Sequence, residues 1–186
     1  MKVCEALEFA HARGVIHRDI KPDNIMVGSH GQVYWMDWGI CRMQSGVGDE
    51  SQQVSLSPKA ITGGDEEGTI IGSPASMAPE QALGWISKTD AQSNVFCLGA
   101  FLYQFLTGIP PYNEATANEA VKKAQVLTCA APQTSLMAAR YLPNGCVSVK
   151  PMMAGDKEER YASVAHLRND LGALPHRRMV VRDLSL

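Results

Sequence analysis

His17-Arg18-Asp19-Ile20-Lys21-Pro22-Asp23-Asn24 runs directly into the apolar triplet Ile25-Met26-Val27. The stretch holds a carboxylate, an ammonium and a carboxamide at tight, fixed spacing. Pro22 fixes its own φ and pushes Lys21 out of the α region. The segment therefore reads as an ordered extended loop entering a short strand. Such a loop can aim Asp19, Lys21 and Asn24 at one point. An amphipathic helix could not, because positions i, i+2 and i+5 diverge around its barrel.

Upstream, Val3, Ala6, Leu7 and Ala10 recur at helical spacing, predicting a helix through Arg13 that Gly14 ends. Downstream, Ile25–Val27 and Gln32–Met36 flank Gly28-Ser29-His30-Gly31, a hairpin signal. Asp37-Trp38-Gly39 follows the second strand. Residues Ile40–Met77 are long, polar and without apolar period, and read as one loop. Its glycines lack the Lys-Ser/Thr of a phosphate-binding P-loop. Asp90 can cap a helix running to Thr107, with Gly108 and Pro110-Pro111 stopping it. That helix is apolar nearly all round, which predicts a buried core helix, and Cys97, Gly99 and Ala100 let neighbours approach. An amphipathic helix is expected over Glu114–Leu127, a loop and short helix over 128–147, and a turn or two of helix over Val147–Ala154. A last helix is expected to open at Arg160 and run to Leu171, with Val164, Leu167 and Leu171 on one face.

The 186 residues suffice for one domain with a real core. Apolar residues at 45% and charged residues at 19% fit an ordinary globular chain. A net charge of −2 gives no reason to expect a nucleic-acid or anionic-membrane partner. No apolar run approaches a membrane span, and the start lacks a signal-peptide core. Cys4, Cys41, Cys97, Cys129 and Cys146 are odd in number and widely spread, which predicts reduced thiols and a cytoplasmic setting. The five histidines form no ligand-spaced cluster.

The loop around Asp19 resembles the catalytic loop of protein kinases, and Lys21 two residues after the Asp resembles the serine/threonine branch. Asp37-Trp38-Gly39 looks like the metal-binding D-F-G motif with Trp for Phe. Gly72-Ser73-Pro74-Ala75-Ser76-Met77-Ala78-Pro79-Glu80 resembles the end of an activation loop closing in A-P-E, with Ser73 where Thr is usual. Met77-Ala78-Pro79-Glu80-Gln81 and Leu106-Thr107-Gly108-Ile109-Pro110-Pro111-Tyr112 are phrases of the bacterial serine/threonine kinases of eukaryotic type. The resemblance covers about residues 1–173, leaving 174–186 as a basic tail. It implies a mainly α large (C-terminal) lobe with a small β-hairpin at the catalytic loop.

The same resemblance implies roles. Asp19 orients the substrate hydroxyl and accepts its proton, and Lys21 neutralises the transferring phosphoryl group. Asn24 and Asp37 hold magnesium against the phosphates of ATP, and Met26 lies under the adenine. Arg18 pairs with a phosphate on the activation loop, for which Thr69 is the first acceptor and Ser57 and Thr62 the next. Ser73 bonds near Asp19 and Lys21, and Glu80 pairs with Arg160 to tie two helices. The implied partners are ATP and a protein carrying Ser or Thr, and the implied function is γ-phosphoryl transfer to that hydroxyl.

Three departures qualify this. No Gly-rich loop, strand lysine or helix Glu of a small lobe stands in the 186 residues. The chain alone is therefore expected to be inactive, with the face around His17 and Trp38 left partly exposed. Asn94 stands where the family has Asp opening the buried helix, which weakens its bonds to the catalytic-loop backbone. Lys157 replaces a common Pro, which reads as harmless. The alternative function is a non-catalytic interaction module or a truncated relic.

Overall fold

A computed structural model describes residues 2–44, 66–126 and 149–173. Ser57, Thr62, most of the Ile40–Met77 loop, residues 128–147 and the basic tail lie outside the described residues. Among the described residues the architecture is mainly α with two small antiparallel sheets. The order is α1 (Lys2–His11), β1 (Val15–Ile16), β2 (Ile25–Val27), β3 (Val33–Trp35), β4 (Arg42–Met43), α2 (Pro79–Ala82), α3 (Ala91–Thr107), α4 (Ala117–Val126), α5 (Val149–Met152) and α6 (Val164–Ala173).

The expected hairpin pairs β2 with β3 in the register Ile25 to Trp35, Met26 to Tyr34 and Val27 to Val33. The second sheet, β1 with β4, pairs Val15 with Met43 and Ile16 with Arg42. Two-residue strands leave no periodic signal, so sequence pattern alone does not reveal that sheet.

Helix α3 is the axle of the fold. Its N-cap is built as expected: Asp90 Oδ1 accepts from the Gln92 backbone N–H at 2.9 Å, and the Asp90 N–H donates to Ser93 Oγ at 3.1 Å. Lys157, which stands in place of a common Pro, makes contacts of its own. It donates to Asp90 Oδ2 at 2.7 Å and to the Lys88 carbonyl at 2.5 Å, fastening that cap to the turn before α6. Ser93 to Ala100 are buried, and Val95, Phe96 and Leu98 each contribute about 1.5–3 kcal/mol by leaving water. Gly99 faces α5, where a Cβ would sit 2.6 Å from Met153 Cγ and 2.8 Å from Met152 Cβ. The expectation of burial along the whole helix fails beyond Ala100. Phe101, Leu102 and Tyr103 are only partly buried against the core, and Phe105 is 64% exposed.

Other boundaries shift for local reasons. Helix α4 begins at Ala117 and not at Glu114, because Thr116 and Glu119 form a reciprocal cap: Thr116 N–H donates to Glu119 Oε2 at 3.1 Å and Glu119 N–H to Thr116 Oγ at 3.3 Å. Helix α6 begins at Val164 behind Ser163, whose Oγ accepts from His166 N–H at 3.2 Å. Arg160 is thus not in the helix but in extended backbone four residues earlier. Cys4, Cys41 and Cys97 are free and buried. Among the described residues no helix is long and apolar enough to cross a membrane.

Candidate active site

Buried β1 delivers the chain to His17, and the loop that follows is held on every side. Lys21 is extended, at φ −155° and ψ 164°, as its proline neighbour requires. The expected extended loop then tightens into a single 3-10 turn over Pro22–Asn24, with Pro in the first turn where its missing N–H costs nothing. That turn swings Asn24 back onto Asp19. Asn24 Nδ2 donates to the Asp19 carbonyl at 2.8 Å and to Asp19 Oδ2 at 3.0 Å.

Asp19 is the hub. Lys21 Nζ lies 2.8 Å from Asp19 Oδ2 and donates to Ser73 Oγ at 2.9 Å, and Ser73 Oγ donates to Asp19 Oδ1 at 2.6 Å. Two residues of the Asp19 loop and one from the far end of the long Ile40–Met77 loop therefore meet on a single carboxylate. Burial pushes the Asp19 carboxyl up, but hydrogen bonds from Lys21 and Ser73 outweigh it, and the group sits below its ordinary range. Asp19 is ionised at neutral pH and a weak base.

Arg18, at φ 67°, and Asp37, at φ 55°, are the non-glycine residues with left-handed backbone among those described. Both stand at positions singled out by sequence, and such backbone persists only where the surrounding structure holds it. Arg18 is buried, and its Nε donates to the Ile40 carbonyl at 2.5 Å. Asp37 is exposed, and the Met36 N–H donates to the Asn24 carbonyl at 2.8 Å, which sets Asp37 one residue from Asn24's backbone. With Asn24 Nδ2 facing Asp19, its oxygen and the Asp37 carboxylate are hard donors suited to magnesium shared with phosphate oxygens and water. Among the described residues no cluster of three or more His, Cys, Asp or Glu could hold a metal alone. Met26 is half exposed on β2, across from Tyr34.

His17 corrects an expectation: it is fully buried, not left at an open face. Its ring lies 4.5 Å from Trp38 and 5.5 Å from Trp35, centroid to centroid. The Met36 carbonyl can only accept, so His17 Nε2 donates to it at 3.0 Å, leaving Nδ1 to accept from Asp19 N–H at 3.3 Å. Burial depresses its pKa, so the ring is neutral. Trp38 is half-buried and donates its Nε1–H to the Trp35 carbonyl at 2.8 Å.

Asn94, fully buried, accepts from the Arg18 N–H through Oδ1 at 3.3 Å, a long bond as a neutral acceptor predicts. Its amide nitrogen faces His11 Nε2 at 2.8 Å. Because Oδ1 is committed to Arg18, Nδ2 donates and His11 must be neutral with an unprotonated Nε2. Sequence reading missed His11; its only signal was a histidine at the end of an otherwise apolar helix face. Burial lowers its pKa from 6.5 to about 4, against a smaller opposing pull from Asp90. The unfolded chain then binds a proton near pH 6.5 that the folded chain refuses until about pH 4. Stability is expected to be full above pH 6.5 and to fall by on the order of 3 kcal/mol as pH drops to 4. Urea unfolding at pH 7.5 and 4.5 measures this, and His11→Gln should reduce the difference, leaving the share of buried His17, whose pKa is also depressed.

Glu80 and Arg160 form a bidentate buried pair, Nη1 to Oε1 at 2.7 Å and Nη2 to Oε2 at 3.0 Å. Since Arg160 precedes α6, the pair ties α2 to a loop, not to a second helix. Thr69 is exposed, in a turn closed by its N–H to the Glu66 carbonyl at 3.0 Å.

A family model described as the protein kinase domain matches residues 1–169. The chain is 33% identical over 173 residues to serine/threonine-protein kinase PknD of Protochlamydia amoebophila, covering 91% of this chain and 17% of that protein. It is 34% identical over 172 residues to PknB of Mycolicibacterium smegmatis, covering 90% and 24%, and 35% identical over 175 residues to Pkn1 of Myxococcus xanthus, covering 91% and 22%. The chain thus spans about a fifth of the length of these relatives. The matched region contains every element around Asp19, and the chain belongs to the protein kinase family, among the serine/threonine kinases of bacterial, eukaryotic type.

Proposed function

We propose that this chain is the catalytic-loop lobe of a serine/threonine protein kinase, transferring the γ-phosphoryl group of ATP to a Ser or Thr hydroxyl of a protein. The convergence of Lys21, Asn24 and Ser73 on Asp19 carries the reading. Phosphoryl transfer asks for positioning and charge neutralisation more than covalent chemistry. An ionised Asp19 of low basicity is suited to align the incoming hydroxyl and to take its proton late. Lys21 faces the same point and neutralises the transferring group. Asn24 Oδ1 and Asp37 would hold magnesium, which supplies charge neutralisation on the phosphates when bound. Met26 offers an apolar surface to the adenine, and Arg18 a cation for a phosphate on the activation segment, with Thr69 its acceptor. The cytoplasm is the proposed setting.

The 186 residues carry no Gly-rich phosphate loop and no strand lysine, so a second lobe is proposed to cover the nucleotide. The test is magnesium-dependent transfer from γ-labelled ATP to a Ser/Thr protein, by the chain alone and by the chain joined to a protein-kinase small lobe. Transfer is expected only in the joined protein, and Asp19→Ala should abolish it. Transfer by neither would overturn the reading in favour of a non-catalytic module, against which the retention of Asp19, Lys21, Asn24 and Asp37 weighs.

A further inference from the structure

We propose that Gln81 is a positioning residue that holds the catalytic loop and the segment 71–73 in register; this rests on the kinase reading above. Gln81 is 2% exposed and uses its full hydrogen-bonding capacity. Its Nε2 donates to the Arg18 carbonyl at 2.8 Å and to the Ile71 carbonyl at 3.1 Å. Its Oε1 accepts from the Ala78 N–H at 3.1 Å and from Cys97 Sγ at 3.2 Å. Two carbonyls on one side and two donors on the other leave a single orientation for the amide. Burial pushes the Cys97 thiol up to about 12, so its S–H remains a donor at neutral pH.

The placement matters because of what lies next to each carbonyl. Arg18 precedes Asp19 and is held at φ 67°. Ile71 stands two residues before Ser73, whose hydroxyl meets Asp19 at 2.6 Å. Gln81 therefore fixes both ends of the path that brings that serine to that carboxylate. Arg18 is gripped by carboxamides from both sides, its N–H by Asn94 and its carbonyl by Gln81. With a neutral Asn94 making only a 3.3 Å bond, the second grip carries more of the task. Gly72 passes directly over the clamp at φ 122°, where a Cβ would lie 2.9 Å from both the Arg18 oxygen and Gln81 Nε2. A glutamate at 81 would aim a carboxylate oxygen at two carbonyls. Methionine has the same length and no donor.

The decisive variant is Gln81→Met, read by hydrogen exchange on the whole chain. The Arg18, Asp19 and Ser76 amides are expected to exchange about 10-fold faster relative to Val95–Leu98 of α3 in the same protein. Should Gln81→Met not fold, Gly72→Ala disturbs the same contacts from the other side and is expected to loosen the same amides together. A common factor across all amides, or a change in one segment alone, would overturn the proposal. In the joined protein, Gln81→Met should lower kcat on the order of 10- to 100-fold at unchanged KM for ATP; a raised KM with kcat intact overturns it. Absence of transfer in the parent protein would sink the kinase reading only, and the exchange measurement would still decide the clamp.

Discussion

Arg160→Leu is expected to lower the free energy of unfolding by about 3–5 kcal/mol, because it strands a buried carboxylate. Glu80 is 3% exposed and receives two bonds from Arg160 and one from Ser93 Oγ at 2.6 Å. Arg160 also donates to the Ala154 carbonyl at 2.8 Å and the Gly155 carbonyl at 3.1 Å, and its guanidinium lies 4.9 Å from the Phe96 ring centroid. It also donates to the Gln92 carbonyl at 3.4 Å, so removing it orphans groups from three segments at once. The double variant Glu80→Leu/Arg160→Leu is expected to be less damaged than Arg160→Leu alone, since no charge is then left buried without a partner. Urea unfolding of the four proteins gives the coupling. Burial pushes the Glu80 carboxyl up, but Arg160 and Ser93 pull it further down, so its folded pKa is depressed. Its contribution is present above the unfolded carboxylate pKa and lost as pH falls through the folded value. Acid unfolding should therefore have a second component, below the His11 window and absent from the double variant.

Asp19→Asn in the joined protein is expected to reduce kcat by about 10²–10⁴-fold, the usual contribution of a positioned base. KM for ATP should move far less than kcat, because Asp19 meets the nucleotide side only through its bonds to Lys21 and Asn24. Asn can still accept from Ser73 through Oδ1 but would then set its amide nitrogen against both Lys21 Nζ and Asn24 Nδ2, which share the other oxygen of Asp19. The pH profile offers an independent check. With its carboxyl held below the ordinary range, Asp19 contributes no acid limb to kcat above about pH 4. An acid limb near neutrality that Asp19→Asn removes would contradict that assignment. Matching melting curves of parent and variant separate lost chemistry from lost fold.

Much of this was legible in residue order because it rests on local chemistry. Pro22 restricts Lys21, Asp90 caps one helix, and Gly28-Ser29-His30-Gly31 closes a hairpin. Each acts within a few residues, so spacing alone reports it. The boundaries that moved, at Glu114 and Arg160, did so because a capping residue lay inside the expected helix and took precedence over the apolar period.

What the sequence by itself determined is the chemistry of the loop: a carboxylate, an ammonium and a carboxamide that cannot be spread around a helix, followed by a strand, an Asp-Trp-Gly turn and a capped apolar helix. Ser73 at Asp19, 54 positions apart, follows from the family resemblance, but tertiary structure alone decided what holds the two together: Gln81 reaches Arg18 across 63 positions. Asn94 draws on His11 across 83, and burial then makes that histidine neutral. Such contacts are set by the packing of α3 between the catalytic loop and α5. Desolvation, which fixes the protonation of His11, His17 and Cys97, does not exist until that packing does.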